Sequence, residues 1–226
     1  SQAWRPTSPS ASGQRQNLPG VGCNRRKIPA APASFGPNRT DLTFQTMRDS
    51  EFDFIRTLVY ERSRISLGPD KRELVSARLG KRLRATNMPT LGDYCRLLQT
   101  PGADDELANL IDVISTNHTF FFREQAHFDF LRNRAVPEYL QSAGRTSRFL
   151  VWSAASSSGE EAYSIAMTLA NCLPQSPWQI EGTDISHRII AKAQAAIFRD
   201  EAVERLPPDV IKAYFQRGFG PQEGNY

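Results

Sequence analysis

The stretch Phe149-Leu150-Val151-Trp152-Ser153-Ala154-Ala155-Ser156-Ser157-Ser158-Gly159-Glu160-Glu161 decides the reading of this chain. Its first four residues are an uninterrupted apolar run, the pattern of a buried strand. Residues 153–159 are all small and read as a loop. From Glu160 to about 173 the apolar residues Ile165, Met167, Leu169 and Ala170 fit a helix. A second strand is expected over 178–183, ending at Asp184. Ser186 then suits the N-cap of a helix carrying Ile189, Ile190, Ala193 and Ile197. Strand, helix, strand, helix in that order predicts a parallel sheet with helical cover, an α/β arrangement.

A strand, a tight loop and a helix N-terminus together form a cradle for a nucleoside. Small residues let the backbone approach a ligand, and free N–H groups at the helix start bond its acceptors. An acid at the end of the next strand can accept both ribose hydroxyls, and Asp184 stands there, 32 residues after Trp152. The loop has one glycine, so the G-x-G-x-x-G fingerprint is absent, as is G-x-x-x-x-G-K-[ST]. Glu160 and Glu161 would repel a phosphate but suit a cationic ligand such as an ammonium or a sulfonium. Two plainer readings stand beside this one. Acids in a first helical turn also favour the helix dipole, and an Asp after a strand also serves as a turn residue.

Upstream of the cradle the sequence is helical. Phe52, Ile55, Leu58 and Val59 recur at helix spacing from Asp49 onward. Gly68-Pro69-Asp70 reads as a turn in which Asp70 caps the next helix, with Glu73 completing a capping box. That helix runs to about residue 85 on the stripe Val75, Leu79, Leu83. Pro89-Thr90 restarts a helix with Tyr94, Leu97 and Leu98, Pro101-Gly102 breaks it, and 107–114 is helical again. Residues 47–115 are thus expected to form an all-helical domain, 116–148 a linker and helix, and 149–226 an incomplete α/β domain.

Residues 1–46 contain six of the fifteen prolines and no hydrophobic period, so this segment is expected to be a disordered tail. The first methionine is Met47, and the natural domain is expected to begin near it. The overall charge of +4 belongs to this tail, which carries +5 and leaves −1 for the other 180 residues. The charge therefore gives no support to a nucleic-acid-binding domain. No run approaches the ~18 apolar residues of a membrane span. Three cysteines without C-x-x-C spacing and three histidines without a ligand pattern predict neither a disulfide scaffold nor a metal site.

Three blocks resemble one family. Thr116-Asn117-His118-Thr119-Phe120-Phe121-Phe122-Arg123-Glu124 is similar to the T-N-x-T-x-F-F-R-E signature of the chemotaxis receptor methyltransferases (CheR type). Residues 151–164 resemble their W-S-A-A-x-S-x-G-E-E-P-Y-S loop, and Thr183-Asp184-Ile185 their (S/T)-D-I strand end. Tyr214-Phe215 and Arg217-Gly218 match the family's Y-F-x-R-G segment. The resemblance runs from about residue 50 to 224. Ala162 departs from the usual proline, and Ser186 stands where the family often has an acid.

The resemblance implies a small all-helical N-terminal domain followed by a partial Rossmann-like methyltransferase domain that uses S-adenosyl-L-methionine to methylate glutamate side chains of chemoreceptors in the cytoplasm. It implies that Asn117, Thr119 and Arg123 border the cofactor and acceptor pocket. Ala155 would lie in the cofactor loop, Glu161 would bind the methionine end, and Asp184 would hold the ribose hydroxyls. A glutamate is already an anion at pH 7 and needs no general base. Arg123 is the candidate for positioning it, with Phe120–Phe122 in a mixed role as dry wall and core. Lys71, Arg78, Lys81 and Arg82 share one face of the helix at 70–85. The resemblance makes this a docking face for an acidic, helical segment of a methyl-accepting chemotaxis receptor; the other reading is a solvated face. Family members continue beyond the point matched by Tyr226, so the chain is expected to show exposed strand edges and weak or no turnover. Two other functions are a non-catalytic receptor-binding module and nucleic-acid binding by the tail.

Overall fold

The computed structural model describes residues 2–4, 47–142 and 147–226. Four helices open the folded part: α1 (Asp49–Ser63), α2 (Arg72–Thr86), α3 (Leu91–Leu98) and α4 (Asp104–Ile114). Each lays an apolar stripe into one core, in which Phe52, Ile55, Val59, Val75, Leu79, Tyr94 and Leu110 are at most 2% exposed. The side chain of Glu51 folds back onto the backbone N–H of Arg48 at 2.9 Å, satisfying a donor that α1 leaves open. Thr90 caps α3 by accepting from Asp93 N at 3.1 Å. The capping box expected at Asp70 does not form. Pro69–Lys71 is a 3-10 turn that absorbs Asp70 into helical geometry, and its carboxylate pairs with Lys71 at 3.0 Å.

Next come α5 (Gln125–Phe130), a π turn (Leu131–Ala135) and α6 (Val136–Ser142), which continue one another. Among the described residues the sheet has three strands, β1 (Gln2–Trp4), β2 (Phe149–Ala154) and β3 (Trp178–Asp184), in the order β1-β3-β2. β2 and β3 are parallel, with Phe149 opposite Trp178 and Ala154 opposite Thr183. The crossover between them is α7 (Glu160–Cys172), and α8 (His187–Ala195) follows β3. Ser186 caps α8 as expected, accepting from Ile189 N at 3.1 Å. Short helices α9 (Asp200–Val203) and α10 (Pro208–Tyr214) follow. Tyr226 then pairs with Phe198 through two backbone hydrogen bonds of 2.8 and 2.9 Å.

One sheet face is covered. Trp178 and Ile180 pack with Ile165 and Leu169 of α7 and with Phe128, Leu131 and Val136. Leu150 and Trp152 project from the other face and are 69% and 68% exposed. Exposed strand edges are the expectation from sequence; what lies open among the described residues is a sheet face, whereas parallel sheets ordinarily bury both faces. One expectation is corrected. Residues 2–4 are not outside the fold, because β1 pairs antiparallel with β3, Gln2 opposite Asp184. A strand edge recruits backbone groups whatever the local composition. Residues 5–46, also read as disordered tail, lie outside the described residues.

Candidate active site

The loop after β2 turns on three left-handed residues, Ala155 (φ 60), Ser157 (φ 52) and Gly159 (φ 100). Strained non-glycine backbone of this kind persists where the surroundings hold it in place. Here the hold is visible. Ser156 N donates to Thr183 O at 2.9 Å, and Ser157 N donates to Asp184 Oδ2 at 3.0 Å. Gly159 has no room for a side chain: a Cβ would lie 3.0 Å from Ala193 Cβ and 3.1 Å from the Tyr163 ring.

Asp184, at the tip of β3, is 8% exposed. Its second oxygen, Oδ1, accepts from Ser186 N at 2.9 Å. Two backbone donors therefore fix the carboxylate, and each oxygen retains a lone pair for a ligand. Glu161 is held by the Ser153 hydroxyl, which donates to its Oε1 at 2.6 Å. Glu160 is paired locally with the Ser158 hydroxyl at 2.6 Å and is not part of the cleft wall. Of the two acids that open α7, only Glu161 faces the site.

The segment 116–124 closes the other side. Ser157 Oγ donates to Asn117 O at 3.1 Å, and Ser164 Oγ accepts from Phe122 N at 2.9 Å. Phe122 (φ 54) and Glu124 (φ 60) are left-handed, so the chain bends sharply around Arg123. Arg123 donates from Nη1 to His118 O at 2.9 Å and lies over the Phe120 ring, 6.0 Å from its centroid.

These elements enclose a cleft of about 620 Å³ between the helical unit and the sheet, within the range of roughly 300–1,000 Å³ typical of small-molecule sites. Asn117, Thr119, Arg123, Ala155, Glu161 and Asp184 all line it. Leu67, Lys71, Leu74, His118, His127 and Ile185 line it too, and none of these but Lys71 was singled out from sequence. Of the mixed role expected for Phe120–Phe122 the core part forms and the wall part does not, since none of the three lines the cleft. Phe121 is buried against Phe198 and Phe215, and Phe122 packs on Phe128; the apolar lining comes from Ile65, Leu67, Leu74 and Ile114 instead. Alternation around a bent backbone sends these rings inward, away from Arg123.

The basic face of α2 is also redrawn. Lys71 borders the cleft and Lys81 is exposed. Arg82 is drawn into a half-buried pair with Glu106, at 2.9 Å (Nε to Oε1) and 2.5 Å (Nη2 to Oε2). The Tyr94 hydroxyl donates to the same carboxylate at 2.7 Å. Arg78 donates to the carbonyls of Ile114 and Ser115 and to Thr116 Oγ1. Two of the four cations expected on a docking face are therefore engaged inside the molecule, because that face of α2 turns toward α4 and the chain leaving it. Among the described residues no group of three His, Cys, Asp or Glu side chains is placed to hold a metal, and no helix is long and apolar enough to cross a membrane.

A small-residue loop feeding a helix, with a fixed acid at the tip of the adjacent parallel strand, is the arrangement of α/β domains of the nucleoside-binding class. Residues 117–224 match the family model described as the CheR methyltransferase SAM-binding domain, and residues 50–115 match the CheR all-alpha domain. The chain is 39% identical over 180 residues to a chemotaxis protein methyltransferase of Escherichia coli, a match covering 79% of this chain and 60% of that protein. A chemotaxis protein methyltransferase of Borreliella burgdorferi is 34% identical over 176 residues, covering 75% and 62%. Chemotaxis protein methyltransferase 2 of Pseudomonas aeruginosa is 35% identical over 176 residues, covering 77% and 61%. The chain belongs to the CheR methyltransferase family. It spans about 60% of the length of the curated relatives it matches.

Proposed function

We propose that this chain binds S-adenosyl-L-methionine in the cleft and serves methyl transfer to glutamate side chains of a chemoreceptor in the cytoplasm. The observation that carries the reading is the convergence of Asn117, Thr119, Arg123, Ala155, Glu161 and Asp184 on one cleft from three separate parts of the sequence. The donor set suits the ligand. Asp184, with both oxygens pinned, accepts from a vicinal diol, and Glu161 accepts from an ammonium. The loop also contains a buried hydroxyl, Ser156 Oγ, with no hydrogen-bond partner among the described residues.

The bound cofactor supplies an activated sulfonium methyl group. What the chain supplies is position. An acceptor carboxylate is ionised near pH 7, so no general base is required. Arg123 and Lys71 set positive charge at the cleft, where it orients an incoming acid and disfavours other approaches. The apolar residues Leu67, Leu74 and Ile114 form the apolar side of the cleft. Lys81, and Lys71 in its exposed pair with Asp70, are the cations of the expected face that stay at the surface for an acidic receptor segment.

Calorimetric titration of the full chain with S-adenosylhomocysteine tests the cofactor reading: one-to-one binding supports it, and absence of binding at millimolar ligand removes it. Transfer of radiolabelled methyl to a receptor signalling fragment, lost when its acceptor glutamates are changed to alanine, tests the substrate. A second reading, a receptor-binding module with little turnover of its own, is favoured by the open sheet face at Leu150 and Trp152. It predicts receptor binding without label transfer.

A further inference from the structure

Arg78 sits in the middle of α2, half-buried. Its Nη1 donates to the carbonyl of Ile114 and, at 3.3 Å, to that of Ser115; its Nη2 donates to Thr116 Oγ1 at 3.2 Å. Ile114 is the last residue of α4, and the final carbonyls of a helix have no intrahelical partner and carry the negative end of its dipole. A planar guanidinium, with five donors in a fixed fork, reaches several such acceptors at once. The very next residue, Asn117, gives its carbonyl to Ser157 Oγ, and Ser157 N holds Asp184. Residues 114–117 are therefore gripped on one side by the helical unit and on the other by the cofactor loop. Leu74, one turn before Arg78 on the same helix, lines the cleft.

We propose that Arg78 is a positioning residue: by clamping the 114–117 junction it sets the spacing at which the helical unit covers the cleft. The inference rests on the cofactor reading above for its ligand, but not for its geometry. A clamp and a docking cation make opposite demands. A docking cation tolerates lysine, which preserves the charge. A clamp does not, because an ammonium is a point donor that cannot span two carbonyls and a hydroxyl.

The test uses the full chain and its Arg78→Ala, Arg78→Lys and Lys81→Ala variants, each checked for helicity by circular dichroism. Calorimetry with S-adenosylhomocysteine and amide hydrogen exchange over residues 114–119 are read on each. We expect both Arg78 variants to bind the probe at least tenfold more weakly and to exchange at least tenfold faster over 114–119, with α1 and α3 unchanged. In these two readouts, neither of which involves a receptor, Lys81→Ala should stay within twofold of wild type. The proposal is overturned if Arg78→Lys matches wild type in both readouts, or if Arg78→Ala alters only the KM for a receptor acceptor. Should Arg78→Ala not fold, Thr116→Val removes a single acceptor, and unchanged exchange in that variant equally overturns the clamp. If wild type itself fails to bind the probe, the cofactor reading is lost and the clamp is judged on exchange alone.

Discussion

Ser157 donates its backbone N–H to the carboxylate of Asp184, 27 residues away in sequence, at 3.0 Å. This bond joins the loop after β2 to the tip of β3, so the geometry of one cannot change without the other. It also orients the carboxylate, because Ser186 N occupies the opposite oxygen.

Asp184→Asn keeps the shape and removes the charge. The amide then presents an NH₂ group to one of the two backbone donors, Ser157 N or Ser186 N. Loss of a charge-assisted acceptor at a buried site costs about 1–3 kcal/mol, so affinity for S-adenosylhomocysteine should fall roughly 5- to 150-fold. Calorimetry measures it; an unchanged Kd would remove Asp184 from the binding set.

Gly159→Ala introduces a Cβ where φ is +100° and where Ala193 and Tyr163 already lie 3.0 and 3.1 Å from the new atom. Backbone strain and the crowded contact together should destabilise the fold by about 1–3 kcal/mol. A thermal melt reads this as a lowered Tm, accompanied by weaker cofactor-analogue binding because Gly159 opens α7 beneath the loop.

Glu106 links acidity to the stability of the helical unit. Burial pushes its pKa up, but the hydrogen bonds from Arg82 and Tyr94 outweigh that, and it lies below its ordinary value of 4.5. A depressed carboxylate stabilises the fold above its unfolded pKa, and this contribution is lost as pH falls through the folded value. Urea melts of the chain should therefore lose stability as pH drops below about 4.5. Glu106→Gln should be about 1–3 kcal/mol less stable at pH 7 and should show a flatter acid limb. An acid limb identical to wild type would contradict this.

Cys95 is buried in the helical core, and burial pushes its thiol up to about 11. Since the thiolate is the reactive form, a disulfide reagent at pH 7.5 should modify Cys95 at least about tenfold more slowly in the folded chain than in urea. Equal rates would show the core open to solvent.

Much of this architecture is legible in the amino-acid order because it depends on local pattern. The run 149–152, the small residues 153–159 and the helix from Glu160 follow one another directly, the acid at 184 ends the next strand, and the structure sets Ala155, Ser156, Ser157 and Asp184 in one wall of the cleft. What escaped the sequence depends on distant partners. Arg78 and Arg82 share a polar stripe with Lys71 and Lys81, and periodicity treats the four alike. Only the fold puts Glu106 beside Arg82, 24 positions away, and Ile114 beside Arg78, 36 positions away. Asp70 was misread as a cap because a 3-10 turn and an N-cap share the same residue preferences. The rings of Phe121 and Phe122 were expected near Arg123 because adjacency in sequence does not reveal the left-handed bend at Phe122.

The unequal edges of the sheet have a consequence for assembly. β1 lies along the outer side of β3 with three residues, whereas β2 offers six on the opposite flank. A strand added on the longer flank would lie alongside Trp152, whose indole N–H bonds Thr183 Oγ1 on the exposed face. That side chain ties β2 to β3 across the outer surface, so the two parallel strands keep their register where no helix covers them.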